Sequence, residues 1–221
     1  MKRQLEPEQL DHLAADNPAA IASRRDLALI NAIMRQPAIL ARSLSGFAPP
    51  RILLDLGGGD GRCLLAAARR LPWRGVHAVI ADRQDIVTEQ TRAGFAALGW
   101  DCTVRRGDVF DAVAELEAGT LVTANLFLHH LDDAALRRLF ALLAGRAMGL
   151  AACEPRRGIF ALIASHLVFA LGANAVTRHD AAASVRAGFA GQDLSALWPA
   201  GWRLREGRAL PFSHLFTAHA L

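Results

Sequence analysis

The chain has 221 residues, of which 52% are hydrophobic and 21% charged, and it carries a formal net charge of +4. This much apolar surface supports one domain, or one domain with a small extension, and excludes a disordered chain or a coiled coil. Lys2 is the only lysine among 25 basic residues, which excludes P-loop NTPases and Schiff-base enzymes because both need an internal lysine.

The N-terminal part of the chain is predicted to form a helical extension. Residues 1–17 are polar and acidic, which is unlike a signal peptide and predicts a cytoplasmic location. Apolar side chains recur at helical spacing within residues 5–44, and two prolines then break the chain at Pro49. We therefore interpret residues 1–50 as an N-terminal helical extension or lid and residues 51–221 as the main domain.

From residue 52 onward, short apolar runs alternate with helical segments, as in a parallel sheet covered on both faces. The predicted parallel strands are 52–56, 76–82, 102–106, 120–126 and 148–154. The predicted helices between them are 62–71, 84–98 and 132–144. Two later strands, 202–210 and 213–221, have so short a connection that they must pair antiparallel. The predicted fold class is α/β: Rossmann-like, doubly wound, with a seven-stranded, mostly parallel sheet and a C-terminal antiparallel hairpin.

One apolar stretch, residues 159–176, predicts a long helix, and residues 181–189 predict another. Its 18 residues are at the lower limit for crossing a bilayer, and polar groups interrupt it. We therefore predict no stable membrane span, but a buried helix that lines an apolar substrate pocket. The candidate pocket residues are Phe160, His166 and Phe169.

The first predicted strand ends in a glycine-rich turn that opens a helix. Glycines in such a turn let the backbone approach a ligand closely. A dinucleotide loop, Gly-x-Gly-x-x-Gly, would need its last glycine at position 62, where the chain has Arg62. The alternating glycines at 57, 59 and 61, with Asp55 two residues before the first, instead resemble the first motif of class I S-adenosylmethionine-dependent methyltransferases.

Three later segments resemble the same family in the same order. Asp82 ends the second predicted strand, where the family has an acid that holds both ribose hydroxyls. Asp108 follows the third strand, where the family has an acid near the adenine amine. Residues 124–133, ANLFLHHLDD, and Glu154-Pro155 after the fifth strand resemble small-molecule methyltransferases similar to quinone-biosynthesis enzymes.

The resemblance implies S-adenosylmethionine as the cofactor and a small molecule as the methyl acceptor. It also implies a set of residues that contact the cofactor at the carboxyl ends of the strands, where open α/β sheets bind ligands. These are Asp55, Gly57, Gly58, Gly59, Gly61, Asp82, Arg83, Asp108, Val109, Asn125 and Leu126.

Two adjacent histidines are the candidate catalytic residues. Transfer to a hydroxyl group requires removal of its proton, and histidine suits this near neutral pH. His130, followed by His129, is the predicted base because both lie beside the expected methionine end of the cofactor. Alternatively, the two histidines only shape the pocket, or they form a metal cluster together with Asp132 and Asp133. We favour Asp132 as a helix N-cap and predict no metal.

The nature of the acceptor stays open in several respects. The apolar residues of 159–176 favour a hydrophobic or aromatic acceptor, with O-methylation favoured over C-methylation. Nucleic acid is not favoured, because the segment after Asn125 lacks the Pro-Pro pair of amino-directed DNA enzymes. An RNA or protein methyltransferase and a non-catalytic S-adenosylmethionine-binding partner protein remain alternatives, while Arg62 disfavours a nicotinamide-dependent oxidoreductase. The sequence leaves a homodimer open.

Overall fold

The computed structural model describes residues 1–221, with the exception of the side chain of Phe169. Its strands are β1 Ile52–Leu56, β2 His77–Asp82, β3 Asp101–Arg106, β4 Leu121–Asn125, β5 Gly149–Pro155, β6 Trp202–Ala209 and β7 Ser213–Ala220. Across the described chain they form one seven-stranded sheet in the order β3-β2-β1-β4-β5-β7-β6. Strands β1 to β5 run parallel, and β7 is antiparallel to both β5 and β6. The predicted fold class is confirmed.

Helices cover both faces of this sheet. They are α1 Pro18–Ile33, α2 Gln36–Leu44, α3 Arg62–Ala68, α4 Glu89–Ala96, α5 Val109–Ala114, α6 Asp133–Ala144, α7 Ile159–His166 and α8 Ala175–Ala187. One buried cluster joins the sheet to α2, α3 and α4 through side chains such as Leu40, Leu64 and Phe95. A second cluster joins the opposite face to α5 and α6 through Val113 and Phe140. Because both faces are covered, the central strands β1, β4 and β5 are almost entirely buried, as their apolar sequences predict.

The prediction of one helix over residues 159–176 is wrong. After α7 the chain forms a 3-10 turn over Leu167–Leu171 and reverses at Gly172, whose φ is +77°. Asn174 then caps α8 by accepting a hydrogen bond from the Thr177 backbone N–H at 3.0 Å. Because the stretch is mostly apolar, its sequence pattern did not indicate this break. None of the helices in the described chain has both the length and the apolar character needed to cross a bilayer.

The first 50 residues divide into three parts with different roles. Residues 1–16, here called the strap, contain only a short 3-10 turn and lie across the carboxyl edge of the sheet. Helix α1 packs against α8 through Asp26, whose carboxylate accepts hydrogen bonds from Asn174 N–H and the Thr177 hydroxyl at 2.9 Å. Helix α2 instead belongs to the core, since Leu40 is fully buried. Within the predicted extension 1–50, α2 is thus part of the core of the main domain.

Gly149 at the start of β5 offers a test of this packing. A Cβ atom added there would lie 2.2 Å from the Phe47 ring and 2.8 Å from the Ala218 carbonyl oxygen. We expect Gly149→Ala to lower the free energy of unfolding by about 1–3 kcal/mol, because an overpacked core must shift. Gly145→Ala is the matched control, since the nearest atoms there lie at an ordinary 3.7 Å. Urea unfolding checks both, and equal stability of the two variants would contradict the packing described.

Candidate active site

The strand order places a crevice between β1 and β4. The chain leaves β1 toward β2 on one side and later enters β4 on the other, so the loops after these two strands diverge and leave space for a ligand. The glycine-rich turn follows β1, and Asn125 ends β4. Gly57 has φ +63°, and a Cβ atom there would lie 2.2 Å from the Phe127 ring. Only glycine therefore lets this turn pass so close to the loop after β4.

Asp82 at the end of β2 is tied to the glycine turn. Its Oδ2 accepts a hydrogen bond from the Gly59 backbone N–H at 2.9 Å, and its Oδ1 accepts one from the Gln84 N–H at 2.9 Å. Each carboxylate oxygen keeps a second lone pair for another donor. A Cβ atom at Gly59 would have no neighbour within 4 Å, so this side of the turn is open to a ligand.

Two buried oxygens at the crevice lack partners. Asp55 Oδ1 in β1 and Asn125 Oδ1 at the end of β4 are shielded from solvent, and neither has a hydrogen-bond partner among the described residues. Burial, with a smaller contribution from the nearby Asp82 carboxylate, raises the pKa of Asp55 to about 8. Buried polar groups without partners are costly, so these oxygens point to a ligand that donates hydrogen bonds or carries positive charge.

The other residues predicted to contact a cofactor lie around the same edge of the sheet. Asp108 is exposed and caps α5 by accepting a hydrogen bond from the Phe110 N–H at 2.8 Å, and Val109 beside it is buried. Leu126 has a left-handed φ of +55°, and its N–H donates to the Cys153 carbonyl at 2.9 Å. Arg83 is exposed. None of these geometries by itself assigns a ligand contact.

His129 is held by a fully buried carboxylate. Glu154 at the end of β5 accepts backbone hydrogen bonds from Phe127 at 3.0 Å and Leu128 at 2.9 Å, and it accepts a hydrogen bond from His129 Nδ1 at 2.8 Å. His129 Nε2 lies 3.2 Å from Glu8 Oε1 of the strap. Burial alone would lower the pKa of His129, but the bonds to Glu154 and Glu8 outweigh it and raise the pKa to about 9.

His130 has a more exposed setting than His129. Its side chain is 25% exposed, and its Nδ1 lies 3.3 Å from Asp11 Oδ2 of the strap. The ligand atoms of Glu8, His129 and His130 lie within 4.8 Å of one another, so they are close enough to share a cation. In this structure the Glu8 carboxylate instead pairs with the imidazoles of His129 and His130. Asp132 does not join them, because it caps α6 through the Ala135 N–H at 2.7 Å, as predicted.

The strap is fastened by polar contacts on both sides of the histidines. Arg3 donates hydrogen bonds to the Leu131 carbonyl at 2.6 Å and to Asp133 at 3.0 Å. Gln9 donates its backbone N–H to Asp180 of α8 at 2.8 Å. These contacts hold Glu8 between His129 and the interior of the protein.

Beside the strap lies a cavity of about 320 Å³. Its walls come from α1, α7, α8 and the 3-10 turn after α7, and Leu126 and Pro155 close it toward the sheet. Most of the lining is apolar, and Glu8 of the strap is part of it. Since Glu8 also contacts His129 Nε2, a single side chain separates the imidazole from the cavity.

The predicted pocket residues do not line this cavity. Phe160 is 76% exposed and His166 is also exposed, because the face of α7 turned to the cavity carries Ala161, Ala164 and Ser165 instead. The side chain of Phe169 lies outside the described part of the chain. The prediction failed because an apolar run gives no helix phase when nearly every position is apolar.

Two residues at the site were not predicted to have a role. Glu154 was recognised within a motif that follows β5, but no function was assigned to it. Glu8 lies 121 residues before His129 in the chain, and nothing in its local sequence distinguishes it. Only the course of the strap over α8 brings the two together.

Comparisons with known proteins agree with this geometry. A family model described as "Methyltransferase domain" matches residues 53–146, which include the glycine turn, Asp82, Asn125 and both histidines. This match confirms the predicted resemblance to class I S-adenosylmethionine-dependent methyltransferases over these residues. Among curated proteins, none matches this sequence.

Solved structures share the fold at low sequence identity. An O-methyltransferase family protein from Burkholderia thailandensis has a TM-score of 0.61 and 18% identity over 92% of this chain. The mitomycin 7-O-methyltransferase MmcR has a TM-score of 0.60 and 19% identity over 96%. This chain spans 60% of the length of each of these two proteins. The plantazolicin methyltransferase BpumL, solved in complex with SAH, has a TM-score of 0.66 and 10% identity, with 93% of this chain and 92% of that one covered.

Proposed function

We propose that this chain, whose residues 53–146 match a methyltransferase-domain family, transfers a methyl group from S-adenosylmethionine to a hydroxyl group of a small, largely apolar acceptor. The observation that carries the proposal is a buried imidazole, oriented by a carboxylate, one side chain away from an apolar cavity that Leu126 and Pro155 close toward the sheet. A cavity of about 320 Å³ favours a small molecule over an RNA or protein acceptor.

The crevice between β1 and β4 fits the cofactor. Asp82 has free lone pairs beside the open face of Gly59, which suits a ribose diol. The unpartnered oxygens of Asp55 and Asn125 suit the amino group of the methionine portion. The cofactor supplies a methyl group on a positively charged sulfur, which is a good leaving group. The protein therefore contributes mainly position and exclusion of water.

His129 is the proposed proton acceptor. Glu154 takes the hydrogen bond from Nδ1 and so directs Nε2 toward Glu8 and the cavity. This is the relation between base and orienting carboxylate that is found in catalytic triads. When an acceptor hydroxyl replaces Glu8 at Nε2, Nε2 would accept the hydroxyl proton as the oxygen bonds to the methyl carbon, whose bond to sulfur breaks and leaves the sulfur as a neutral thioether.

Glu8 controls the charge of His129 in the free protein. The titratable and charged groups around this imidazole are Glu154 from β5, Glu8 from the strap, the adjacent His130, and Arg3, which donates to the His129 carbonyl. A pKa near 9 means that His129 is mostly protonated at pH 7 while Glu8 remains in place. Because the base must be neutral to accept a proton, kcat/KM should rise with pH toward about pH 9.

Replacing Glu8 should move this pH dependence. Glu8→Gln removes one of the two carboxylates that raise the pKa of His129, so the rising limb of kcat/KM should shift to lower pH by about one unit. The matched control is Glu6→Gln, which removes an exposed strap carboxylate that pairs with Arg186 at 3.5 Å. A pH profile of kcat/KM that is identical in wild type and Glu8→Gln would contradict the proposed role of His129.

The proposed function is tested by incubating the protein with methyl-labelled S-adenosylmethionine and a panel of phenols, with and without a chelator. We expect label in an ether product at a rate that the chelator leaves unchanged. Binding of S-adenosylhomocysteine without turnover of any phenol would favour the non-catalytic partner alternative. Activity lost to the chelator and restored by a divalent cation would contradict the role of His129 as the base.

A further inference from the structure

We infer that the acceptor is an amphiphile, with a hydroxylated ring at the His129 end of the cavity and an apolar tail that leaves the protein between α1 and the turn Leu167–Leu171. This inference rests on the proposed function and adds to it the class of substrate. It is carried by the distribution of polar and exposed side chains along the cavity wall.

The carboxylates of the wall are concentrated near the strap. Glu8 contacts His129 and accepts a hydrogen bond from the Ser184 hydroxyl, and Asp180 accepts the Gln9 backbone N–H. All of these groups come from the strap, α8 and the loop after β4. A hydroxylated ring placed here reaches the proposed base.

The other polar side chains of the wall already have partners within the protein. The Ser23 hydroxyl donates to Asn174 at 3.1 Å, the Ser165 hydroxyl donates to the Leu162 carbonyl at 2.7 Å, and Thr177 donates to Asp26. With these groups satisfied, the wall formed by α1 and α7 offers a bound molecule mainly apolar contact. A polar substituent on that side would lose its water without gaining a hydrogen bond.

The cavity opens to solvent through apolar side chains. Ile33 of α1 and Leu167 and Leu171 of the turn all line the cavity, yet they are 50%, 55% and 48% exposed. Side chains that are at once lining and exposed mark the mouth of a cavity. Since this mouth is apolar and lies on different elements from the polar groups, it suits a tail rather than the reacting end of the acceptor.

The dimensions of the cavity suit a ring with a tail. The lining residues of α1 run from Ser23 to Ile33, which corresponds to about 15 Å of helix. The volume of about 320 Å³ is at the small end of the range for drug-sized ligands. A ring and several methylene groups therefore fit inside, and a longer tail must extend beyond the mouth.

An apolar stripe continues outward from this mouth along α7. Ile159, Ile163 and Leu167 follow one another at intervals of four residues, and they are 61%, 52% and 55% exposed. Residues four apart lie on one face of a helix. The part of a tail that extends beyond the mouth would lie against this stripe and cover its exposed side chains.

The test measures binding and turnover of 4-alkylphenols whose chains lengthen by one carbon at a time, below their micelle concentrations. We expect the KM, and the dissociation constant measured by calorimetry with S-adenosylhomocysteine present, to fall about fourfold for each methylene buried in the cavity. The effect should level off once the chain reaches the mouth. A KM and dissociation constant that do not change with chain length would overturn the inference.

A cavity-filling variant distinguishes binding in the cavity from nonspecific hydrophobic binding elsewhere on the protein. Ala164 of α7 lines the cavity, so Ala164→Phe should abolish the fall in KM and in the dissociation constant with each added methylene. Ala141→Phe, at an exposed site on α6, is the matched control and should behave as wild type. If the two variants retain the same dependence on chain length, the tail does not occupy this cavity.

Binding of S-adenosylhomocysteine in every variant distinguishes the two proposals. Cofactor binding and turnover of short phenols without any dependence on chain length would remove the tail inference and leave the proposed function standing. Failure to bind the cofactor in the wild-type protein would remove the proposed function itself.

Discussion

His129→Ala is expected to lower kcat by a factor of about 10²–10⁴, the usual contribution of a general base. Binding of S-adenosylhomocysteine should be unchanged, because the imidazole contacts Glu154 and Glu8 rather than the glycine turn. Glu154→Gln should also lower kcat strongly, since an amide no longer fixes the ring in the form that leaves Nε2 able to accept a proton. Steady-state kinetics with a phenol acceptor, together with calorimetry, measure both effects.

His130→Ala is the matched control for this prediction. Its ring lies against that of His129, with 4.3 Å between centroids and a tilt of 35°, but its side chain is 25% exposed and faces Asp11 of the strap. We expect a loss of less than about tenfold in kcat. If His130→Ala were the more damaging change, His130 would be the base, as the sequence alone predicts, and the assignment to His129 would be wrong.

Asp82→Ala is expected to weaken binding of S-adenosylhomocysteine by a factor of about 10²–10⁴. Two hydrogen bonds from a diol to a carboxylate would be lost, and each hydrogen bond to a charged group contributes about 1.5–3 kcal/mol. The Gly59 N–H would also lose its acceptor at 2.9 Å, which would loosen the glycine turn. Calorimetric titration measures the change directly.

Asp85→Ala provides the control for Asp82. Asp85 lies three residues further along, is 49% exposed, and pairs with Arg92 at 3.6 Å. We expect near wild-type binding, because an exposed ion pair of this kind contributes little. Equal binding by Asp82→Ala and Asp85→Ala would place the ribose elsewhere.

The sheet and the cofactor crevice were predictable from the sequence because their signals are local. The apolar run before Asp55 and the glycines after it determine a strand and a tight turn within ten residues. Asp82 and Asn125 follow strands of the same kind, and parallel strands bring their carboxyl ends to one edge. Asp132 likewise caps its helix through a backbone N–H only three residues away.

The acceptor side of the site was less predictable because it depends on distant contacts. Glu8 acquires its role only where the strap crosses α8, and the cavity exists only because Gly172 and Asn174 break the apolar stretch into α7, a turn and α8. The sequence does not distinguish His130 from His129, because the two residues are adjacent. Only the position of Glu154 in the fold shows that the His129 imidazole is oriented, whereas that of His130 is more exposed.

Titration of the wild-type protein with S-adenosylhomocysteine and, separately, with NADH tests the central claim most directly. The account predicts micromolar binding of S-adenosylhomocysteine and no binding of NADH, because the open glycine turn, Asp82 and the unpartnered oxygens of Asp55 and Asn125 fit the sulfur-containing nucleoside. Binding of NADH alone, or of neither compound, would contradict the assignment of the crevice between β1 and β4 to S-adenosylmethionine.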